Sequence, residues 1–252
     1  MIEIKNVAYS YGKKKYIEGL SLTLYDGDLT ALLGTNGSGK TTLVRLITGE
    51  LSVEEGAILI DGESREEADK YEMAKRLSYF PEGRPTPSLT VYELVALGRF
   101  PYTKGGFSLS ERDKEAISFA MERAEITHFA DRRLSTLSYG QRQSAYLAML
   151  LSQEAKNALF DEPTNFLDEG ARYKMLEKIK EQSRKGAVLV VLHDLPLAMS
   201  YADRIVLMSE GKIIADGRPS ELYESGELEK ALGVRLVRFT DKNRTLYATA
   251  KE

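Results

Sequence analysis

The chain of 252 residues contains no cysteine, and this absence excludes three kinds of chemistry at once. There is no disulfide scaffold, no thiolate metal site and no cysteine nucleophile. A basic surplus is missing too, because 35 lysines and arginines face 38 aspartates and glutamates. Proteins dedicated to nucleic acid usually carry such a surplus, so we expect no nucleic acid among the partners.

Long apolar runs are also absent. The longest, AVLVVL at residues 187–192, is far shorter than the roughly 20 apolar residues that a membrane span needs. Residues 1–5 show neither the basic region nor the apolar run of a signal peptide. The sequence therefore predicts a chain that is soluble when isolated, and any role at a membrane requires a partner.

Short apolar segments alternate with helical patterns along most of the chain. Strands that alternate with helices form a mainly parallel sheet covered by helices, so this pattern predicts an α/β core. The predicted strands are residues 1–4, 20–24, 29–33, 55–62, 77–80, 158–160, 187–192, 204–208 and 212–215, and the predicted core helices are residues 41–48, 170–183 and 195–201.

The middle of the chain has a different character. From residue 90 to about residue 152 the pattern is helical, and it predicts no strand. Residues 111–130 form the clearest amphipathic helix, and His128 on it has no predicted function. We therefore expect a helical insertion in the α/β core.

A Gly-rich segment, GTNGSGKT at residues 34–41, follows the strand at residues 29–33 and precedes a helix. It fits the pattern G-x-x-x-x-G-K-[ST], in which backbone N–H groups and a helix N-terminus hold phosphate oxygens. Lys40 is expected to bridge the β- and γ-phosphates, and the Thr41 hydroxyl to ligate Mg²⁺. The predicted nucleotide-binding residues here are Gly34, Thr35, Asn36, Gly37, Ser38, Gly39, Lys40, Thr41 and Thr42.

Two adjacent acids, Asp161 and Glu162, end an apolar strand further along. Such a pair is often only a solvated turn, but its position in a P-loop chain favours a function. The strand-end aspartate of P-loop enzymes holds Mg²⁺ directly or through water, and Asp161 suits that role. Glu162 is then expected to polarise a water for attack on the γ-phosphate.

The segment LSYGQR, residues 137–142, points to a particular family. Ser138 and Gly140 open a helix, which is a good site for an anion. This segment, the phosphate loop and the acids at 161–162 together closely resemble the ATP-binding subunits of ABC transporters, over essentially all 252 residues. The resemblance implies a RecA-like P-loop NTPase core with a mainly parallel sheet, an N-terminal antiparallel β portion and an inserted α-helical subdomain. The implied core is residues 1–82 and 158–252, and the implied subdomain is residues 83–157.

The same resemblance assigns roles to further residues. Tyr11 matches the aromatic residue that stacks on adenine, and Tyr9 is a neighbouring candidate. His193 ends a strand, where α/β sheets place their ligands, and it matches the histidine that contacts the γ-phosphate. Glu162, His193 and Lys40 form the implied catalytic set. The residues implied to contribute to ATP binding from a second copy are Ser138, Gly140, Gln141 and Asp168.

The partners implied by the resemblance are a second copy in a head-to-tail homodimer, separate transmembrane permease subunits and, indirectly, an extracytoplasmic solute-binding protein. The location implied is the cytoplasmic face of the membrane. Residues 89–102 and 231–235 resemble the importers of iron–siderophore, haem and cobalamin complexes. The alternatives are an exporter subunit and a non-transport ABC ATPase.

Two residues depart from the family pattern. Glu82 stands where the family usually has a glutamine near Mg²⁺, and the first glutamine of the chain is Gln141. Glu82 keeps an oxygen ligand for the metal but adds negative charge beside a triphosphate. Tyr139 replaces the first glycine of the usual pair, while Ser138 and Gly140 are retained.

The charge of Glu82 leads to a prediction. Like charges a few ångströms apart in a partly dry site repel by about 1–4 kcal/mol, less what Mg²⁺ offsets. The substitution Glu82→Gln is therefore expected to alter ATP affinity or its Mg²⁺ dependence more than it alters the fold. Nucleotide titrations at several Mg²⁺ concentrations measure this, and identical curves for both proteins would contradict it.

Overall fold

The computed structural model describes residues 1–103, 106, 108–241 and 244–250. The strands are β1 (Ile2–Tyr11), β2 (Lys14–Leu24), β3 (Leu29–Gly34), β4 (Glu55–Ile60), β5 (Glu63–Ser64), β6 (Leu77–Phe80), β7 (Asn157–Asp161), β8 (Val188–Val191), β9 (Arg204–Ser209), β10 (Lys212–Gly217), β11 (Arg235–Asp241) and β12 (Arg244–Ala250). The helices are α1 (Lys40–Thr48), α2 (Lys70–Arg76), α3 (Val91–Leu97), α4 (Phe100–Thr103), α5 (Glu111–Arg123), α6 (Tyr139–Ser152), α7 (Glu169–Ser183), α8 (Leu195–Tyr201), α9 (Pro219–Ser225) and α10 (Glu227–Leu232).

The larger sheet has six strands in the order β10-β9-β3-β8-β7-β6. The five strands from β9 to β6 are parallel, and β10 adds an antiparallel edge. All residues of β7 and β8 are buried, because helices or the second sheet cover both faces of these strands. Successive side chains of β8 enter different cores: Val188 and Val190 pack on one face, and Leu189 and Val191 on the other.

A second sheet of four strands, β2-β1-β4-β5, is antiparallel and packs over one face of the first. Strand β1 turns Ile2, Ile4 and Val7 into the core that this sheet shares with Leu189 and Val191. The predicted strands are all present, although β1 extends seven residues further and β2 begins six residues earlier than predicted. The predicted fold class is confirmed. Among the described residues, no helix combines the length and the apolar character needed to cross a bilayer.

Between β6 and β7 the described residues form helices and turns, as the sequence indicated, but one predicted helix is too long. Helix α5 ends at Arg123 instead of residue 130. Glu125 adopts a left-handed conformation with φ 58°, and Ile126 turns back to donate its N–H to the carbonyl of Met121. His128 therefore lies in a separate 3-10 turn, Thr127–Phe129. The expectation of a continuous helix through His128 was wrong, because the spacing of apolar residues does not reveal that the chain reverses direction at Glu125.

The helical insertion is organised around one buried cation. The Arg99 side chain is 1% exposed, and it donates to Asp113 on α5 at 2.9 Å. It also donates to the carbonyl of Ser152 at 2.6 Å and to Glu154 at 2.7 Å, both at the end of α6. One guanidinium thus joins the start of α4 to both longer helices.

Removing this cation is expected to destabilise the insertion. In Arg99→Met the Asp113 carboxylate stays buried without its partner, and breaking a buried pair in this way costs about 3 kcal/mol. The double variant Arg99→Met with Asp113→Asn is expected to recover part of the loss, because no unpaired charge is then buried. Urea unfolding measures both, and a single variant as stable as the unsubstituted chain would contradict the prediction.

Candidate nucleotide-binding site

The phosphate loop, residues 34–41, joins the end of β3 to the start of α1. Gly39 precedes α1 with φ 108°, and no side chain caps the helix, so its first N–H groups are free for an anion. A Cβ on Gly34 would lie 2.4 Å from the Met208 carbonyl, which leaves glycine as the residue that fits. The Gly211 N–H donates to the Ser38 carbonyl at 2.8 Å. The turn between β9 and β10 therefore supports the loop.

Lys40 lies inside this loop and is 6% exposed. Its ammonium donates to the carbonyls of Gly34 at 2.8 Å and Thr35 at 3.1 Å. Burial lowers the pKa of Lys40, and the neighbouring carboxylates of Glu162 and Asp161 act in the opposite direction. The loop thus holds a cation next to a helix N-terminus, which is an arrangement that attracts phosphate.

An aromatic cluster of three tyrosines lies beside the loop. The ring of Tyr11 meets those of Tyr9 and Tyr16 edge to face, with centroids 5.0 Å and 5.3 Å away. Tyr11 is 44% exposed, whereas Tyr9 packs against the core of the smaller sheet. The Tyr16 hydroxyl donates to the Gly37 carbonyl at 3.1 Å, and the Tyr11 hydroxyl lies 3.4 Å from the Thr42 hydroxyl. Tyr11 therefore offers the open ring face.

Sequence reasoning missed Tyr16. Its position follows from the pairing of β1 with β2, in which Tyr9 opposes Ile17, and a hairpin register of this kind is not readable from one strand alone. The available signal was the spacing of the tyrosines: Tyr9 and Tyr11 occupy alternate positions of β1, and Tyr16 follows on β2.

The acids stand at the carboxyl end of β7, beside the end of β8. Asp161 pairs with Val191 in the parallel register, and His193 follows two residues later. Asp161 is 4% exposed and accepts from the Tyr79 hydroxyl at 3.4 Å. Burial, followed by the charges of Glu162 and Glu82, raises the pKa of Asp161 to about 6. This edge of the sheet thus concentrates negative charge opposite Lys40.

Glu162 has both carboxylate oxygens engaged. One contacts Nε2 of His193, and the other accepts from the side-chain amide of Asn165. The backbone of Glu162 is left-handed, with φ 50°, and its N–H donates to the Val191 carbonyl at 3.3 Å. Sequence reasoning gave Asn165 no role beside Glu162, and the structure supplies this contact. The side chains of His193 and Asn165 hold the carboxylate in one orientation at the strand end.

Glu82 is exposed in the turn after β6, which pairs with β7. Its charge reaches Asp161, and it lines a cleft of about 170 Å³ together with Glu162 and Tyr139. The departures noted in the sequence, Glu82 and Tyr139, therefore border the same cleft.

Ser138 and Asp168 each begin a helix. The Ser138 hydroxyl accepts from the Gln141 N–H at 3.2 Å, and the Gln141 side chain accepts from the Ser138 N–H at 2.9 Å. Asp168 accepts from the Ala171 N–H at 2.9 Å. Within the described part of the chain, no hydrogen bond links Ser138, Gly140, Gln141 or Asp168 to the phosphate loop. These four residues are not brought together with the loop in one copy.

A phosphate loop between a parallel strand and a helix, with acids at a neighbouring strand end, defines a P-loop nucleotide-binding protein. The ABC transporter family matches residues 17–165, and the chain belongs to that family. It is thus an ATP-binding subunit whose ATPase activity is coupled to transport, as the sequence predicted.

Relatives are similar over nearly the whole chain. The chain is 38% identical over 240 residues to the ferric enterobactin transport ATP-binding protein FepC of Escherichia coli (strain K12), covering 94% of this chain and 89% of that one. It is 34% identical over 244 residues to the hemin import ATP-binding protein HmuV of Pseudomonas fluorescens (strain Pf0-1), covering 94% of each. The solved ADP conformation of MJ1267, an ATP-binding cassette of an ABC transporter, superimposes with a TM-score of 0.80 at 25% identity, covering 92% of this chain and 97% of that one.

The exposure of the tyrosines predicts which ring carries the base. Stacking on an aromatic ring contributes roughly 1–3 kcal/mol per base, so Tyr11→Ala is expected to weaken ATP binding about tenfold or more. Tyr9→Ala is the matched control, and it is expected to lower the melting temperature with a smaller effect on affinity, because Tyr9 packs on the core. Calorimetric titration with ATP measures both, and the reverse order of effects would assign the base to Tyr9.

Proposed function

We propose that this chain hydrolyses ATP to power the import of a metal chelate, of the siderophore or haem class, through separate membrane subunits. The observation that carries this proposal is the likeness to import subunits over almost the full length. Those relatives are named for ferric enterobactin, petrobactin and hemin, at 32–38% identity. A solved metal-chelate type ABC transporter shares the fold, with a TM-score of 0.82 at 23% identity.

The alternative of an exporter subunit has weaker support. An exporter of the Atm1 family shares the fold at 23% identity, and the chain covers 41% of it. That likeness concerns the cassette fold alone, so it does not argue for export.

ATP binds with its adenine on Tyr11 and its phosphates in the loop around Lys40. Mg²⁺ fits the donors present, because the Thr41 hydroxyl and the Asp161 carboxylate are hard oxygen ligands. The described residues contain no group of three acidic, histidine or cysteine side chains that could hold a metal alone, so phosphate oxygens and water must complete the set. When bound there, Mg²⁺ would neutralise charge on the phosphates and on the acids around Asp161. We assign Thr41, Asp161 and Glu82 as the residues facing it.

Glu162 acts as the general base on the attacking water. The contacts from His193 and Asn165 aim its carboxylate and keep it from rotating away from the strand end. When the γ-phosphate is present, His193 can turn its imidazole toward it, which frees one carboxylate oxygen for water. The ammonium of Lys40 stabilises the charge that develops on the transferring phosphoryl group.

A second copy completes the site. Ser138, Gly140, Gln141 and Asp168 have no hydrogen bond to their own phosphate loop, and they begin helices whose N-termini favour anions. Phe166, next to them, is 81% exposed, and its ring meets the exposed ring of Tyr139 edge to face, so the two form an apolar patch. The solved structure of the bacterial ABC transporter cassette MJ0796 is dimeric, and it superimposes on this chain with a TM-score of 0.73 at 25% identity. A head-to-tail homodimer is the arrangement these features support.

The homodimer is proposed to sit at the cytoplasmic face of the membrane, on permease subunits that receive solute from an extracytoplasmic binding protein. Within each copy, residues 1–82 and 158–252 would form the core, and residues 83–157 the helical subdomain.

The identity of the transported solute and the direction of transport are tested in the source cells. A tagged chain is expected to co-purify with a polytopic membrane protein, and cells whose chain carries Glu162→Gln are expected to lose uptake of radiolabelled iron chelates. Uptake of an unrelated nutrient serves as the control. Retained chelate uptake with defective efflux would favour an exporter instead.

Turnover itself is predicted to depend on Glu162. A general base contributes about 10²–10⁴-fold, so Glu162→Gln is expected to lower steady ATP hydrolysis at least about a hundredfold while ATP still binds and holds the dimer closed. The control Glu177→Gln changes an exposed acid on α7 and is expected to leave turnover unchanged. Phosphate release and size-exclusion chromatography measure the two effects, and a Glu162→Gln chain with normal turnover would contradict the assignment.

A further inference from the structure

Arg84 attaches the turn that carries Glu82 to helix α6. Its guanidinium donates to the Pro81 carbonyl within the turn and to the side-chain oxygen of Gln143 on α6. Its guanidinium carbon also lies over the ring of Phe80, at 3.6 Å from the centroid. Arg84 therefore bridges the end of β6 and the first turn of α6.

A second bond reinforces this attachment. The Tyr146 hydroxyl donates to the Pro85 carbonyl at 2.6 Å. Gln143 is 3% exposed and Tyr146 is 7% exposed, so both partners on α6 are fixed in the core of the insertion. The turn at residues 81–85 is thus held to α6 at two points, one helical turn apart.

The end of α6 that receives these bonds is the end that begins at Ser138. Gln143 and Tyr146 lie five and eight residues after it, on the first turns of a single helix. A helix of this length moves as a rigid body, so a displacement of the turn at residues 81–85 displaces Ser138 as well. The turn faces the nucleotide of its own copy through Glu82, whereas Ser138 faces that of the second copy.

The chemistry of Arg84 argues against a purely structural role. In the part of the chain that the structure describes, no acidic side chain forms an ion pair with Arg84, although burial lowers the pKa of its guanidinium to about 10. A half-buried cation without a carboxylate partner is costly, and an apolar side chain of similar length would fill the space over Phe80 at lower cost. What an apolar side chain lacks is the directional bond to Gln143.

We propose that Arg84 is a positioning residue that couples the two ATP sites of the dimer, by fixing the Ser138 end of α6 to the turn carrying Glu82. The inference rests on the proposed homodimer. Occupancy of one site then sets the position of the segment offered to the other, and the two sites close together.

The test compares Arg84→Met with Arg123→Met. Met keeps the length over Phe80 but loses the bonds to Pro81 and Gln143. Arg123 is the matched control, because it also joins the insertion to the core, through Glu181, but far from Ser138. For Arg84→Met, we expect the affinity for ADP to stay within about twofold of that of the parent chain. In the Glu162→Gln background, the same substitution is expected to weaken ATP-driven dimerisation about tenfold. The Hill coefficient for ATP hydrolysis by Arg84→Met is expected to fall toward about 1. Arg123→Met is expected to change none of these.

The variant Gln143→Leu provides a second route should Arg84→Met fold poorly, and the same selective loss is expected there. A double variant, Arg84→Met with Gln143→Leu, that is no worse than Arg84→Met alone supports the proposal, because both substitutions remove the same Arg84–Gln143 bond. Unchanged dimerisation and Hill coefficient in folded variants would overturn it, and so would an equal loss of ADP affinity. If the Glu162→Gln parent stays monomeric with ATP, that result contradicts the proposed homodimer. The proposed coupling between two ATP sites is then contradicted as well.

Discussion

The parallel register of β3, β8 and β7 is the constraint on which the rest of the molecule depends. Leu32 on β3 and Asp161 on β7 both pair with Val191 on β8, so all three strands end at one edge. The phosphate loop, the acids and His193 meet there although they are distant in sequence. Shifting one strand by two residues would move Lys40 away from the carboxylates of Asp161 and Glu162, whose charges act on it in this register.

The electrostatics of this edge are unbalanced in the free chain. The ammonium of Lys40 donates to two backbone carbonyls of the loop. Burial and the neighbouring acids raise the pKa of Asp161. In the proposed complex with ATP, the phosphates would accept from the ammonium of Lys40, and Mg²⁺ would offset the charge of the carboxylates. Glu82 adds to the negative side, and Arg84, two residues later, points away to α6. Within this turn, Glu82 lies beside the proposed metal site and Arg84 contacts helix α6.

Much of this was predictable because the signals are local. The apolar strands, the phosphate loop and the acids at 161–162 are contiguous segments with a physical pattern, and the fold class followed from their order. Contacts between distant segments were not predictable in this way. Tyr16 reaches Gly37 through a hairpin register, and Arg84 reaches Gln143 across 59 residues. The contact of Asn165 with Glu162 is local, but it depends on the left-handed backbone of Glu162, which the sequence did not indicate. The hairpin of β11 and β12 was missed as well, because Arg238 interrupts the apolar run of β11 and the apolar run of β12 is short.

The central claim is that ATP lies between the phosphate loop of one copy and Ser138 to Gln141 of another. Because the chain has no cysteine, a pair of introduced thiols reports on this directly. Asn36→Cys is exposed on the loop, and Gly140→Cys lies on the facing segment. With both present in the Glu162→Gln background, ATP is predicted to give a disulfide between two chains, and ADP is predicted to give none. Cross-linking that ignores the nucleotide, or that occurs within a single chain, would contradict the account.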